Sequence, residues 1–174
     1  DYLSIGYNPM LSVCTLSNIC TYLNNGGSHS IYDNAEGCAD YSQLSAVCNA
    51  GCPQGDVTLT TQAEVDAFAV SYPTCTIVPG SLTISGTDIT DLTPLANIAS
   101  VNGNLTIHYH DTLTSLAGLE SVTAVRGSLT INNNYALTSL NGLVGLTLVE
   151  EHLSIDNNTA LTGITGLSGV TSVG

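Results

Sequence analysis

The sequence predicts a mainly β chain wound as a parallel β-solenoid of leucine-rich repeats, with short disulfide-tied capping helices. Three observations carry this expectation. The segment from Gly80 to Gly174 repeats one pattern four times, opening Gly80-Ser-Leu-Thr-Ile, Gly103-Asn-Leu-Thr-Ile, Gly127-Ser-Leu-Thr-Ile and Glu151-His-Leu-Ser-Ile, at steps of 23, 24 and 24 residues. That period belongs to stacked repeat architectures. Seven apolar columns then recur in register, among them Leu82/Leu105/Leu129/Leu153, Ile84/Ile107/Ile131/Ile155 and Val101/Val125/Val149/Val173. One copy alone cannot bury such a stripe, whereas a stack buries it continuously. Finally, the six cysteines cluster outside the repeats, where caps would sit.

Within each repeat, Leu-Thr-Ile alternates apolar and polar side chains. This sends Leu and Ile inward and Thr outward from a short strand. A further column ends each strand, Thr87, His110, Asn134 and Asn158. An inward Asn can bond the backbone of the next coil, each net bond contributing about 1 kcal/mol. An asparagine ladder is therefore expected, with His110 as a buried substitute. Asn8 and Asn34 extend it.

Facing out are two rows of hydroxyls. The first is Thr83, Thr106, Thr130 and Ser154 with Ser4 and Ser30; the second is Thr90, Thr114, Thr138 and Thr162 with Ser12. Their expected spacing is about 4.7–4.9 Å. Such rows suit a wet β surface, glycan attachment or carbohydrate contact, or a flat ice-binding array. Two Asn-x-Thr sequons, at Asn104 and Asn157, are candidate N-glycan sites, and Asp111-Thr112-Leu113 resembles a short acidic O-glycan acceptor of some bacterial surface proteins.

Taken in order, residues 1–13 already follow the repeat: Leu3, Ile5, Asn8 and Leu11 fall in its columns, and Cys14 and Cys20 in two more. Val13 to Leu23 shifts to helical spacing, and Asn24-Asn-Gly-Gly27 stops it. Ser30-Ile-Tyr-Asp-Asn34 is another strand and ladder position, 26 residues beyond Ser4–Asn8, and a short helix over about 41–48 closes the stack. The offset pairs Cys14 with Cys38 and Cys20 with Cys48, a connectivity that spacing alone does not fix. Ala50–Gly55 is a compact breaker. A strand over 56–60 follows, then Thr61-Gln-Ala-Glu64 as a capping box opening a helix with Val65, Phe68 and Ala69 inward, ended at Tyr72-Pro73. Cys75 arrives where it can bond Cys52 and lock that helix as a lid, a bond typically worth about 2–4 kcal/mol.

Cys52-Pro, a strand, an amphipathic helix, then Cys75-Thr-Ile-Val-Pro-Gly80-Ser-Leu-Thr-Ile84 resembles the opening of a receptor L domain. This is the leucine-rich β-solenoid of growth-factor and insulin receptors, also found in bacterial secreted repeat proteins. Residues 1–48 resemble the cysteine-capped end of the bacterial versions, so the likeness runs through the chain in permuted order. It implies a right-handed parallel β-solenoid. On that reading, residues 1–50 are the C-terminal coils and cysteine-sealed cap of one L-like domain. Residues 51–174 are the lid and four coils of the next.

Composition narrows the function. Fourteen acidic residues face one base, Arg126, for a formal charge of −13. Without a basic surface to displace counterions, nucleic acid is not an expected partner, and an anionic membrane repels the chain. No apolar run reaches membrane-spanning length. The even cysteine count suggests an extracellular setting, secreted or at the cell surface, and the resemblance implies a bacterial one. No Cys-x-x-Cys pair at finger spacing and no Asp-x-Asp-x-Asp-Gly loop occurs, so neither Zn²⁺ nor Ca²⁺ is expected and no cofactor is called for. His108-Tyr-His110-Asp111 has metal flavour, but alternation sends His108 outward and His110 into the ladder. Nothing resembles a nucleophile elbow or a metalloprotease helix, so an enzyme is not expected.

The expected function is a non-enzymatic structural module, the repeating unit of a surface array or fibril. The alternative is an adhesin, carbohydrate-binding or ice-binding solenoid using its threonine face. Thr171-Ser-Val-Gly174 followed by Asp1-Tyr-Leu-Ser-Ile5 reads like Thr123-Ala-Val-Arg126 followed by Gly127-Ser-Leu-Thr-Ile131. Copies joined head to tail, or in tandem, would therefore continue one stack.

Overall fold

The computed structural model describes residues 2–11, 22–23, 27–36, 38–48 and 51–174. The chain divides into two compact units, Asp1–Gly51 and Cys52–Gly174, and the division falls inside the Gly-Pro breaker.

In the first unit, β1 (Tyr2–Gly6) pairs in parallel with β2 (Ser28–Tyr32), in a register that sets Ser4 against Ser30 and Ile5 against Ile31. Helix α1 (Tyr41–Cys48) follows. Its Leu44 is buried in a small core with Leu23, Ile31 and Cys38. Cys38 is disulfide-bonded. The Cys14–Cys38 and Cys20–Cys48 pairings, the helical reading of 13–21 and the place of Ser12 lie outside the described residues.

The second unit begins with β3 (Val57–Leu59) and helix α2 (Gln62–Ser71). Then come β4 (Ile77–Val78), β5 (Leu82–Ser85), β6 (Ser100–Val101), β7 (Leu105–His108), β8 (Ala124–Val125), β9 (Leu129–Asn132), β10 (Leu148–Val149), β11 (Leu153–Asp156) and β12 (Ser172–Val173). Strands from alternate positions form two five-stranded parallel sheets, ordered β11-β9-β7-β5-β3 and β12-β10-β8-β6-β4. Each repeat thus gives one strand to each sheet and pairs with its own equivalent one repeat away, Ile84 with Ile107 and Ile107 with Ile131. Thr93–Leu95, Asn141–Leu143 and Thr165–Leu167 turn as 3-10 helices between the sheets.

The alternation does what sterics require. Along β5, β7 and β9 the Leu and Ile side chains are buried and the Thr between them half-exposed. Leu92, Leu116, Leu140 and Val101, Val125, Val149 are all at 0% exposure. At roughly 1.5–3 kcal/mol for each buried side chain, these columns dominate the stability of the unit.

Thr61 caps α2 as the sequence predicts, its hydroxyl accepting the Glu64 N–H at 3.2 Å. Glu64 reaches one residue further back than a standard box: its carboxylate accepts the Thr60 N–H at 2.6 Å and the Thr60 hydroxyl at 2.9 Å. These bonds hold the Glu64 carboxyl below its ordinary range, the Thr60 backbone N–H contributing most. Cys52 and Cys75 are bonded, with Cα atoms 4.6 Å apart; this ties the start of the unit to the end of its lid helix.

Two features have no counterpart in the expected pattern. Thr123, Thr147 and Thr171 form a ladder of their own, each N–H and hydroxyl donating to the carbonyl of Ala99, Thr123 and Thr147 respectively, at 2.8–3.2 Å. Gly118, Gly142 and Gly166 form a column where repeats approach so closely that a Cβ would meet the preceding Leu92, Leu116 and Leu140 carbonyl oxygens at 2.2, 1.9 and 1.9 Å.

Candidate functional site

The asparagine ladder is present in both units with one geometry. In the second, the Asn134 backbone N–H and Nδ2 both donate to Asn158 Oδ1 at 3.1 and 3.0 Å, and Asn134 Nδ2 also donates to the Ile107 carbonyl at 3.1 Å. Asn158 Nδ2 donates to the Ile131 carbonyl at 2.9 Å. In the first, the Asn8 N–H and Nδ2 donate to Asn34 Oδ1, and Asn34 Nδ2 to the Ile5 carbonyl. In the second unit the ladder gives the strand carbonyls of Ile107 and Ile131 a donor, which is structural work. Thr87 does not join it: the residue is exposed and its carbonyl accepts the Thr112 hydroxyl.

His110 takes the Asn position and is fully buried. Its Nδ1 lies 2.7 Å from the Gly86 carbonyl and its Nε2 3.2 Å from the Ile84 carbonyl. Burial pushes its pKa below the ordinary value of 6.5, against the opposing pull of the two carbonyls. The fold therefore favours neutral His110, and its contribution is complete above the unfolded pKa and lost as pH falls through the folded one. Stability measured by denaturant midpoint should fall below about pH 6.5, and His110→Asn should flatten that part of the profile. An unchanged profile in the variant would remove His110 as its cause.

His108 faces the other way, half-exposed on the outward surface and in register with Ser85 and Asn132. The two histidines therefore do not converge. Among the described residues, no group of three His, Cys, Asp or Glu side chains is placed to hold a metal ion.

The two outward hydroxyl rows differ. In the second, all four threonines are exposed, and the Thr138 and Thr162 hydroxyls donate to the carbonyls of Thr114 and Thr138 at 3.1 and 3.2 Å. In the first row Thr83, Thr106 and Thr130 are half-exposed, on one face of β5, β7 and β9. Ser154 bonds Asp156. Ser4 is exposed and Ser30 half-buried in the other unit. The residues before this row form their own ladder, Asn104 Oδ1 accepting the Ser128 N–H at 2.8 Å and Ser81 Oγ the Asn104 N–H at 3.1 Å. The face thus presents a row of threonine hydroxyls on a fixed backing.

Of the glycan candidates, all three are exposed. Asn104 is engaged as above, and the Thr112 hydroxyl donates to the Thr87 carbonyl at 3.0 Å. Asn157 lies on a turn at φ 56°. A shallow groove of about 330 Å³ opens between β3 and α2, lined by Pro53, Asp56, Leu59, Glu64 and Phe68 among others. Its carboxylates serve the fold: Asp56 accepts the Ser81 N–H at 2.7 Å, and Glu64 caps the helix. No helix among the described residues is long and apolar enough to cross a membrane.

No curated protein and no solved structure matches the chain. A family model, that of the receptor L domain, matches residues 74–165, more than half of the 174.

Proposed function

This chain belongs to the receptor L domain family, and from that premise we propose that it is a structural module of a surface array or fibril, a right-handed solenoid extended by stacking repeat on repeat. The family is one of non-enzymatic, extracellular-type ligand-binding modules, and the disulfide fits that setting. The assembling role and a bacterial cell-surface origin are our reading.

One observation carries it: residues 2–11 have the pattern of a coil that fits on the repeat beginning at Glu151. Leu3, Ser4, Ile5 and Asn8 match Leu153, Ser154, Ile155 and Asn158. In both ladders an Asn N–H donates to the Asn one repeat on, and Asn8 of a following copy would give Asn158 that acceptor. A contact between two different faces does not close on itself, so it propagates as an open array. Asn157, exposed on its turn, is the acceptor we favour for a glycan on such a surface.

Sedimentation tests this. The chain should form concentration-dependent open-ended species, and Ile164→Glu, at a side chain already exposed, should stop them with its melting temperature kept. A chain that stays a single unit at high concentration, or a variant that assembles equally well, contradicts the reading.

A second reading has its own support. The free face of Thr83, Thr106 and Thr130 suits a carbohydrate- or ice-binding surface of an adhesin-like module. One threonine row between charged and amide neighbours favours carbohydrate over a flat ice plane.

A further inference from the structure

Two tyrosines stand where a small polar residue would be expected. After the strand the chain turns through the left-handed region at φ 55° for Asn133, 56° for Asn157 and 53° for Asp33, while Gly86 holds the same place in the repeat starting at Gly80, at φ 149°. Asn and Asp tolerate this region because their short side chains bond locally; a bulky ring there is strained. Yet Tyr109 and Tyr7 adopt φ 59° and 57°. Strain kept in an exposed residue points to a function outside the fold. Tyr109 is 57% exposed, and its ring centroid lies 4.7 Å from that of His108. This sets it at the border of the outward face, two residues beyond the strand's Ile107. Tyr7 repeats the device in the other unit, 74% exposed and edge-on to Tyr32 at 5.1 Å.

We propose that Tyr109, with His108 and the neighbouring Thr106 and Thr130, forms a binding site for neutral carbohydrate. The proposal rests on the second reading above, that the threonine face binds a ligand, and it names the ligand class and the residue that selects it. A rigid, exposed phenol ring presents an apolar face with a polar tip at low entropic cost. Such a face matches the C–H side of a pyranose, while the threonine hydroxyls and imidazole match its hydroxyls. Charge selects among sugars. Fourteen acidic residues face a single base, and Arg126 is already paired with Glu150 at 2.7 Å. Uronic acids, phosphates and sulfates are repelled.

The test is affinity electrophoresis of the full chain in native gels cast with a neutral β-glucan or mannan, with polygalacturonate as the acidic comparison. The wild-type chain should be retarded by a neutral polymer and not by polygalacturonate. Tyr109→Asn should weaken retardation at least tenfold with its melting temperature unchanged or raised, because Asn suits the left-handed turn. No retardation by either neutral polymer, equal retardation by polygalacturonate, or wild-type behaviour in Tyr109→Asn overturns the proposal. A lowered melting temperature in that variant would mark the ring as structural and also overturn it. A Thr106→Val/Thr130→Val variant separates the two ideas. Loss there with Tyr109→Asn unaffected keeps the threonine face and removes the tyrosine site; loss in Tyr109→Asn alone keeps the ring site and removes the threonine row.

Discussion

Gly142→Ala should destabilise the second unit by about 3 kcal/mol or more, the upper end of what overpacking costs. The added Cβ would lie 1.9 Å from the Leu116 carbonyl oxygen and 2.2 Å from its carbon, with the Leu116 Cβ at 2.8 Å. All three neighbours are fixed, two of them backbone, so no flexible side-chain end can move aside. Gly142 is buried within the 3-10 turn Asn141–Leu143, and relief would require separating two repeats and breaking their ladder bonds. Gly163→Ala is the matched control, because a Cβ added there would meet nothing within 4 Å and its φ is not positive. It should be neutral or stabilise by up to about 1 kcal/mol by restricting the unfolded chain. Equal denaturant midpoints for the two variants would refute close inter-repeat approach.

Asn134→Ala should cost roughly 2–4 kcal/mol. The side chain is at 0% exposure and its Nδ2 bridges the Ile107 carbonyl and Asn158 Oδ1. Truncation removes two bonds, each contributing about 1 kcal/mol, and takes a donor from the Ile107 carbonyl at a further cost of about 1–3 kcal/mol. Asn158 Oδ1 keeps the Asn134 backbone N–H, and removal of the unpartnered Asn134 Oδ1 offsets part of the loss. In the other unit Asn8 makes similar bonds from an exposed position, where water can replace them. Asn8→Ala should therefore shift the denaturant midpoint much less, and equal shifts would show that the ladder's worth does not depend on burial.

The apolar columns, the Leu-Thr-Ile alternation and the asparagine ladder are legible in the sequence because each repeats a side-chain type at a fixed step, and burial acts on side-chain type. The Thr61 cap is legible for a related reason, since its chemistry is local. The glycine column is not. Its first position is Pro94, which hides the periodicity, and glycine is chosen there for the space it leaves rather than for any contact. The Thr123 ladder escapes notice because a threonine that bonds a carbonyl and one that faces water look alike in sequence. That ambiguity also hides the carbonyl bonds of Thr138 and Thr162. Tyr109 does not read as a turn residue because left-handed turns are read from Gly, Asn and Asp. The strands of the second sheet, such as Ala124–Val125, are two residues long, too short to alternate.

The proposed stacking places a coil with the pattern of residues 2–11 on the repeat that begins at Glu151. Its most direct measurement is the structure of the assembled particle at a resolution that separates strands. In that particle β1 of one copy should pair in parallel with β11 of another, Leu3 against Leu153 and Ile5 against Ile155, with Asn8 Oδ1 accepting the Asn158 N–H and the rows continuing at about 4.8 Å. A β11 edge left bare, or covered by anything other than that coil, would contradict it.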